Sequence, residues 1–193
     1  MKKKIVPIVS LLLAIFFGYT LTQNEQKLLE EVFSEPDKVA TLILSRDINS
    51  EELFDIVRVA DGDTITVSIN GAFEKIRFIG INTPEIGNAN IPSECLAEEA
   101  KEKMESLLEG HKVRLEFDET QGERDKYGRL LAYVYLDNDV FLNRFMIQEG
   151  FAHEYTYQKK YKYIEDFVSD EEEARFKEIG IWNYDVCIPE LRQ

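Results

Sequence analysis

The chain has 193 residues, 44% hydrophobic and 31% charged, which is enough apolar content for one globular domain plus additional sequence. It carries 23 Lys and Arg against 37 Asp and Glu, a formal net charge of -14. That balance excludes a protein that coats nucleic acid through a long basic footprint, because such binding depends on Lys and Arg releasing counterions. Any phosphate chemistry must come from a compact local site, with or without a metal.

The first residues read as a targeting segment. Lys2, Lys3 and Lys4 precede an apolar run from Ile5 to about Tyr19, the charged and apolar regions of an export signal. Gly18 and Thr20 are the candidate small residues for cleavage, and an uncleaved membrane anchor through residues 5–20 is the alternative. The three lysines keep that end cytoplasmic and place residues beyond about 23 outside. Removing residues 1–23 takes away three lysines and no acid, leaving a remainder at -17. The expected organisation is therefore a signal peptide or anchor over 1–23, an extension over 24–53 and a domain over 54–189. In the extension, Leu28, Leu29, Val32 and Phe33 have helical spacing, and Pro36 ends the pattern.

Within the domain, a first strand is expected over about Phe54 to Val59. Ile65, Val67 and Ile69 then alternate with polar residues, and Asn70-Gly71 is a two-residue hairpin signal, since both central positions need positive φ. Ile76 and Phe78 continue the alternation beyond the turn. A helix is expected over "SECLAEEAKEKMESLLEG", with Leu96, Ala100, Met104, Leu107 and Leu108 on one face, Ser93 as N-cap and Gly110 as stop. The strands "HKVRLEF" and "RLLAYVYL" follow. A second helix falls in "DVFLNRFMIQEG", and a third over about Tyr163 to Ile179, where Ser169 and Glu172 resemble a capping box while Ile164, Phe167 and Val168 extend the apolar face upstream. The order, three strands, a helix, two strands and two helices, fits an α+β chain, mainly β: a five-stranded barrel with about three packed helices.

Cys95 and Cys187 both lie in the part expected outside the cytoplasm. There a pair reads as a disulfide, against the alternative of two unpaired thiols.

Charged residues gather in three short stretches. "VADGDTI" brings Asp61 and Asp63, "IRFIGINTPEI" brings Arg77, Asn82, Thr83 and Glu85, and "ERDKYGR" brings Asp125, Lys126, Tyr127 and Arg129. Taken singly, each has an ordinary reading as a turn or loop end. Arg129 poses the question sharply, because it opens a strand directly behind a Tyr127-Gly128 turn. Together the three stretches supply oxygen ligands for a hard cation such as Ca²⁺. They also supply two guanidinium forks for phosphate oxygens and a glutamate able to orient or deprotonate water. Those parts suffice to hydrolyse a phosphodiester without a covalent intermediate.

"RVADGDTITV", "IRFIGINTPEI" and "RDKYGRLLAYVYL", in this order, closely resemble the staphylococcal nuclease (thermonuclease) family. The resemblance covers about Phe54 to Trp182, including "NRFMIQEGFA" and "GIW". It implies an OB-fold barrel and Ca²⁺-dependent cleavage of DNA and RNA that leaves 3′-phosphates. By the resemblance, Arg77, Glu85 and Arg129 are catalytic, and Asp63, Asn82 and Thr83 hold the metal with Asp61 behind them. Lys126, Tyr127, Tyr155 and Tyr157 contact substrate. For Tyr155 and Tyr157 the alternative is ordinary surface tyrosines, although aromatic faces that accept any base give stacking a physical logic. The family has Asp where this chain has Asn82, one negative charge fewer at the cation. His111 and His153 are read as structural.

Three readings compete: an exported Ca²⁺-dependent endonuclease acting as a monomer on DNA and RNA, a non-catalytic nucleic-acid or protein-binding module on the same barrel, and a structural extracellular domain. Retention of Arg77, Glu85 and Arg129 favours the first.

Overall fold

The computed structural model describes residues 51–157 and 159–187. The expected leader or anchor over 1–23 and nearly all of the 24–53 extension lie outside those residues, and no helix among the described residues is long and apolar enough to cross a membrane.

Five strands close a barrel in the order β1-β2-β3-β6-β5. They are β1 (Leu53–Asp61), β2 (Thr64–Ile69), β3 (Ala72–Phe78), β5 (Val113–Glu116) and β6 (Leu130–Leu136). The β2–β3 hairpin turns on Asn70 at φ 50 and Gly71 at φ 81, the conformation that dipeptide was expected to supply. β5 and β6 pair antiparallel, and Leu53 and Phe54 of β1 pair with Arg114 and Val113 to shut the cylinder. β3 and β6 run parallel, with Ile76 opposite Leu130, Arg77 opposite Leu131 and Phe78 opposite Ala132.

The period-two pattern explains the core. Ile65, Val67, Ile69, Ile76, Phe78, Val113, Leu115, Leu130, Ala132 and Val134 are all buried. In β6 the opposite parity is buried once as well, at Tyr133, which is covered from outside by the rings of Tyr163, Phe141 and Phe167. The covering helices are α1 (Ala97–Leu108), α2 (Leu142–Gln148) and α3 (Ile164–Phe176). Arg144 and Gln148 of α2 hydrogen-bond the buried carboxylate of Asp170 on α3, which locks that pair of helices together.

Four details depart from the sequence reading. Ser93 does not cap α1: the helix begins at Ala97 behind Leu96, which sits at φ 62, and Ser93 Oγ accepts from the Gly87 amide instead. Ser169 and Glu172 form no capping box, because α3 starts a turn upstream, at Ile164, where Phe167 buries against the barrel. Val168 faces solvent rather than extending the apolar face. A two-stranded sheet, β4 (Ile81–Asn82) with β7 (His153–Glu154), was not foreseen. It fastens the end of β3 to the chain leaving α2.

After α3 come a short helical turn at Gly180–Trp182 and α4 (Tyr184–Cys187). Gly180 and Gly150 pass backbone to backbone so closely that a Cβ on Gly180 would lie 2.1 Å from the Gly150 carbonyl oxygen. Cys187 is bonded to Cys95 in the segment before α1, with Cα atoms 5.6 Å apart.

Candidate active site

A cleft of about 620 Å³ opens where β3, β4, the turn before β6 and the segments around Gln121 and Tyr157 converge. Arg77, Asn82, Glu85, Lys126, Tyr127, Arg129, Tyr155 and Tyr157 all line it. Residues expected from two of the three sequence stretches and the tyrosine pair therefore share one surface, whereas Asp61, Asp63 and Thr83 are not part of its lining.

Asp63 sits at the β1–β2 junction, nearly fully buried. Its Oδ1 accepts from Thr64 Oγ1 at 2.9 Å, and its Oδ2 accepts from the Thr83 amide at 3.0 Å and faces Arg77 Nη2 at 3.0 Å. Gly62 permits this approach, since a Cβ there would stand 2.7 Å from Thr83 Cγ2. Asp61 accepts from the Asp63 amide at 3.1 Å. Burial, reinforced by the charge of Asp63, pushes its carboxyl up to about 6.

Arg77 is folded onto the protein. Its Nη1 donates to the Phe78 and Ile81 carbonyls at 2.9 and 2.8 Å, and its Nη2 donates to Asn82 Oδ1 at 3.0 Å. A single guanidinium nitrogen thus bridges Asp63 and Asn82, two of the three residues expected to hold a cation. Among the described residues no group of three or more His, Cys, Asp or Glu side chains is arranged to hold a metal ion. Of the expected ligands, the Asp63 carboxylate and the Asn82 side-chain oxygen meet here at Arg77 Nη2, and the Thr83 carbonyl lies 3.4 Å from Asn82 Nδ2. All are oxygens, and they suit a hard cation such as Ca²⁺ in kind, with one charge among them.

Arg129 is delivered by a turn built on Asp125. The Asp125 Oδ1 accepts from the Tyr127 and Arg129 amides at 2.9 and 3.0 Å, and its Oδ2 accepts from Arg129 Nε at 2.6 Å. Gly128, at φ 80, closes the turn. Arg124 braces it from behind, bidentate on Glu74 and donating to the Gly128 carbonyl at 2.7 Å. Burial by itself would raise the Asp125 carboxyl, but the hydrogen bonds from Arg129 and Tyr127 outweigh it and hold the group below its ordinary range. The strand opens with an arginine behind a glycine turn because that turn fixes the guanidinium by its Nε and orients the rest of the fork. Tyr127 is 72% exposed and lies between two cations, Lys126 at 4.9 Å and Arg129 at 5.4 Å from its ring centre.

Glu85 is exposed at the lip of the cleft. Tyr155 and Tyr157 stand opposite as an exposed pair, with ring centres 6.3 Å apart. The histidines lie elsewhere: His111 pairs with Asp137 at 2.6 Å, and His153 packs edge-on to Trp182.

Sequence reasoning passed over Asp118. This buried carboxylate accepts from the Thr120 amide and hydroxyl, the Tyr133 hydroxyl and the Lys162 amide, at 2.7 to 2.9 Å. Gln121 donates in turn to the Lys159 and Lys160 carbonyls. Two loops that wall the cleft are clasped together by this acid. Its only trace in the sequence is an Asp followed two residues later by Thr, a common turn.

The family profile described as "Staphylococcal nuclease homologue" matches residues 75–184. The chain is 37% identical over 134 residues to a thermonuclease of Staphylococcus hyicus, covering 69% of this chain and 78% of that protein. It is similar to two proteins of Bacillus subtilis (strain 168). The SPbeta prophage-derived endonuclease YokF is 40% identical, covering 69% of this chain and 45% of its own length. Endonuclease YncB is 38% identical, covering 70% and 64%. The chain thus spans about half to two thirds of the two Bacillus relatives. With the closed barrel and the profile both in agreement, the chain belongs to the staphylococcal nuclease family.

Proposed function

We propose that the chain is a Ca²⁺-dependent endonuclease that hydrolyses phosphodiester bonds of DNA and RNA with little sequence preference and leaves 3′-phosphates. The observation that carries this reading is the convergence of Arg77, Glu85 and Arg129 on one cleft beside the Asp63–Asn82–Thr83 oxygens. Similarity to proteins named as a thermonuclease and endonucleases supports the same class. A retained glutamate and a pre-oriented arginine also weigh against a purely binding role.

The residues divide the work. Arg129, pinned by Asp125, offers its remaining donors to two oxygens of the scissile phosphate and strengthens that hold as charge develops there. Arg77 adds positive charge at the back of the cleft. Glu85 accepts the proton of an attacking water; the new P–O bond forms as the bond to the 5′ oxygen breaks, and that oxygen takes a proton from solvent to leave as a hydroxyl, with the phosphate on the 3′ side. Asp63, Asn82 and Thr83 hold the cation, with Asp61 steadying the turn beneath. When bound, Ca²⁺ supplies charge neutralisation at the phosphate oxygens. Tyr155 and Tyr157 accept bases without regard to sequence, and Lys126 and Tyr127 take a terminal phosphate.

The protein acts as an exported monomer, its leader either removed or kept as an anchor through residues 5–20. Supporting this are Lys2–Lys4 ahead of the apolar run and the Cys95–Cys187 bond, since disulfides persist in oxidising compartments. The test incubates the chain with plasmid DNA and with RNA, in Ca²⁺ and in chelator. Cleavage of both only with Ca²⁺, giving ends that block polymerase extension until phosphatase treatment, is expected. Intact substrates in Ca²⁺, or extendable ends, overturn it.

A further inference from the structure

We infer that Glu94 is the positioning residue for Glu85, and that the Cys95–Cys187 bond holds Glu94 in place, so that reducing this disulfide disarms the cleft. The inference rests on the nuclease reading above.

Glu85 lies at the mouth of a small hairpin loop that ends at Glu94. The Glu94 amide donates to the Glu85 carbonyl at 3.0 Å, and Glu94 Oε2 accepts from the Glu85 amide at 2.8 Å. One residue therefore satisfies both backbone polar groups of the proposed water-activating glutamate. Above that rung, the Gly87 amide donates to Ser93 Oγ, and Asn88 and Ile91 exchange hydrogen bonds at 2.7 and 3.2 Å. The hairpin is tight: a Cβ on Gly87 would fall 2.3 Å from the Ile91 carbonyl oxygen. Yet residues 88–95 are all exposed. No core burial fixes the loop, so its shape depends on its internal hydrogen bonds and on its ends.

One end continues from the buried Thr83. The other is Cys95, directly after Glu94. Its partner Cys187 belongs to α4, which follows the Gly180–Trp182 turn, and that turn is tied to the domain by the Ile181 amide donating to the Gly150 carbonyl at 2.8 Å. On the far side of Cys95, Leu96 adopts φ 62 without being glycine, and α1 starts with no side-chain cap. A non-glycine residue stays in that region only where its surroundings impose it. The disulfide is the covalent constraint at that point.

Cys95 is exposed, so an external dithiol can reach it. Its thiolate attacks Cys95 Sγ and Cys187 departs as thiolate. The reagent's second thiol then resolves the mixed disulfide. The reagent leaves as a cyclic disulfide, and the protein gains two electrons and two protons as two thiols. Glu94 then loses the anchor beside it, and Glu85 its fixed backbone.

The test uses the full chain as wild type with and without dithiothreitol, Cys95→Ser/Cys187→Ser, Glu94→Ala and Glu94→Gln. It reads kcat, KM and amide hydrogen exchange at Glu85, with exchange in the barrel strands reporting that the fold persists. A misplaced catalytic group costs turnover steeply, so Glu94→Ala is expected to lose about 10-fold or more in kcat with KM within about twofold. Glu94→Gln, which keeps a carbonyl acceptor, recovers most of that loss. Reduction and the double serine variant lower kcat and speed exchange at Glu85, and dithiothreitol leaves the double variant unchanged. Overturning results are Glu94→Ala or reduced wild type within about twofold of normal kcat, or Glu94→Gln as impaired as Glu94→Ala. Failure of the nuclease reading looks different: oxidised wild type does not cleave at all, while Glu85 exchange still reports whether Glu94 and the disulfide hold the loop.

Discussion

Replacing Asp118 by Ala removes the acceptor for four hydrogen bonds at once, and their environments set the cost. Thr120 is on the surface, so its amide and hydroxyl turn to water at little loss. The Lys162 amide keeps a second acceptor in the Tyr133 hydroxyl at 3.1 Å. The Tyr133 hydroxyl proton is the stranded group, on a side chain with no exposed surface. One buried donor left unsatisfied, with the lost loop bonds added, amounts to about 2–4 kcal/mol. For a domain of this size that lowers the melting temperature by about 6–15 °C. Asp118→Asn keeps one carbonyl oxygen and falls between the two. The pH dependence supplies a second reading. Burial raises the Asp118 carboxyl, but the bonds from Thr120, Lys162 and Tyr133 prevail and hold it below its ordinary range. A group depressed in the folded state contributes stability above its unfolded pKa, about 3.9, and loses that contribution as pH falls through its lower folded value. The gap between wild type and Asp118→Ala therefore shrinks below about pH 4. Calorimetry across pH 7 to 3 measures it. A deficit under about 1 kcal/mol at pH 7, or a gap unchanged at pH 3, refutes the clasp.

Arg129→Ala lowers kcat by about 10²–10³ with the fold intact by circular dichroism, the usual effect of deleting one preorganised donor to developing charge; a near-normal rate contradicts the assignment. Asp125→Ala releases Arg129 Nε and lowers kcat by about 10- to 100-fold, measured by plasmid cleavage in Ca²⁺, and an unchanged rate shows that the arginine is oriented without it. Asn82→Asp restores a charged oxygen and lowers the Ca²⁺ concentration for half-maximal activity, because affinity follows the count of charged ligands; superimposed titrations remove Asn82 from the metal. Cys95→Ser/Cys187→Ser loses about 4 kcal/mol in guanidinium unfolding, from a loop 92 residues apart in sequence, and an unchanged midpoint shows that strain cancels the gain.

The barrel was legible because its physics is local. Alternating Ile65, Val67 and Ile69, a turn at Asn70-Gly71 and the run from Leu130 to Leu136 each declare a strand without reference to the rest of the chain. The short β4–β7 sheet was not legible, since two residues show no period. Ser93 misled for a related reason: its hydroxyl satisfies a loop amide at Gly87 rather than a helix end, and sequence cannot tell one orphan donor from another. At the cleft, the motifs delivered Asp63, Arg77, Glu85 and Arg129 but not their mutual arrangement, above all Arg77 Nη2 between Asp63 and Asn82. Asp118 and Glu94 escaped entirely. Each acts on backbone amides, of Lys162 and Glu85, and an amide leaves no mark in the sequence that its acceptor could be matched to.

Because β6 joins β3 in parallel, the strand led by Arg129 takes its place beside Arg77 only when the barrel closes. About fifty residues separate the two arginines, which at about 5–20 residues per second is about 3–10 s of synthesis. Throughout that interval the growing chain contains Asp63 and Arg77 but not yet the strand that Arg129 leads. A chain built in this order carries an incomplete cleft throughout its synthesis, and the two arginines come to share one surface only once the barrel is complete.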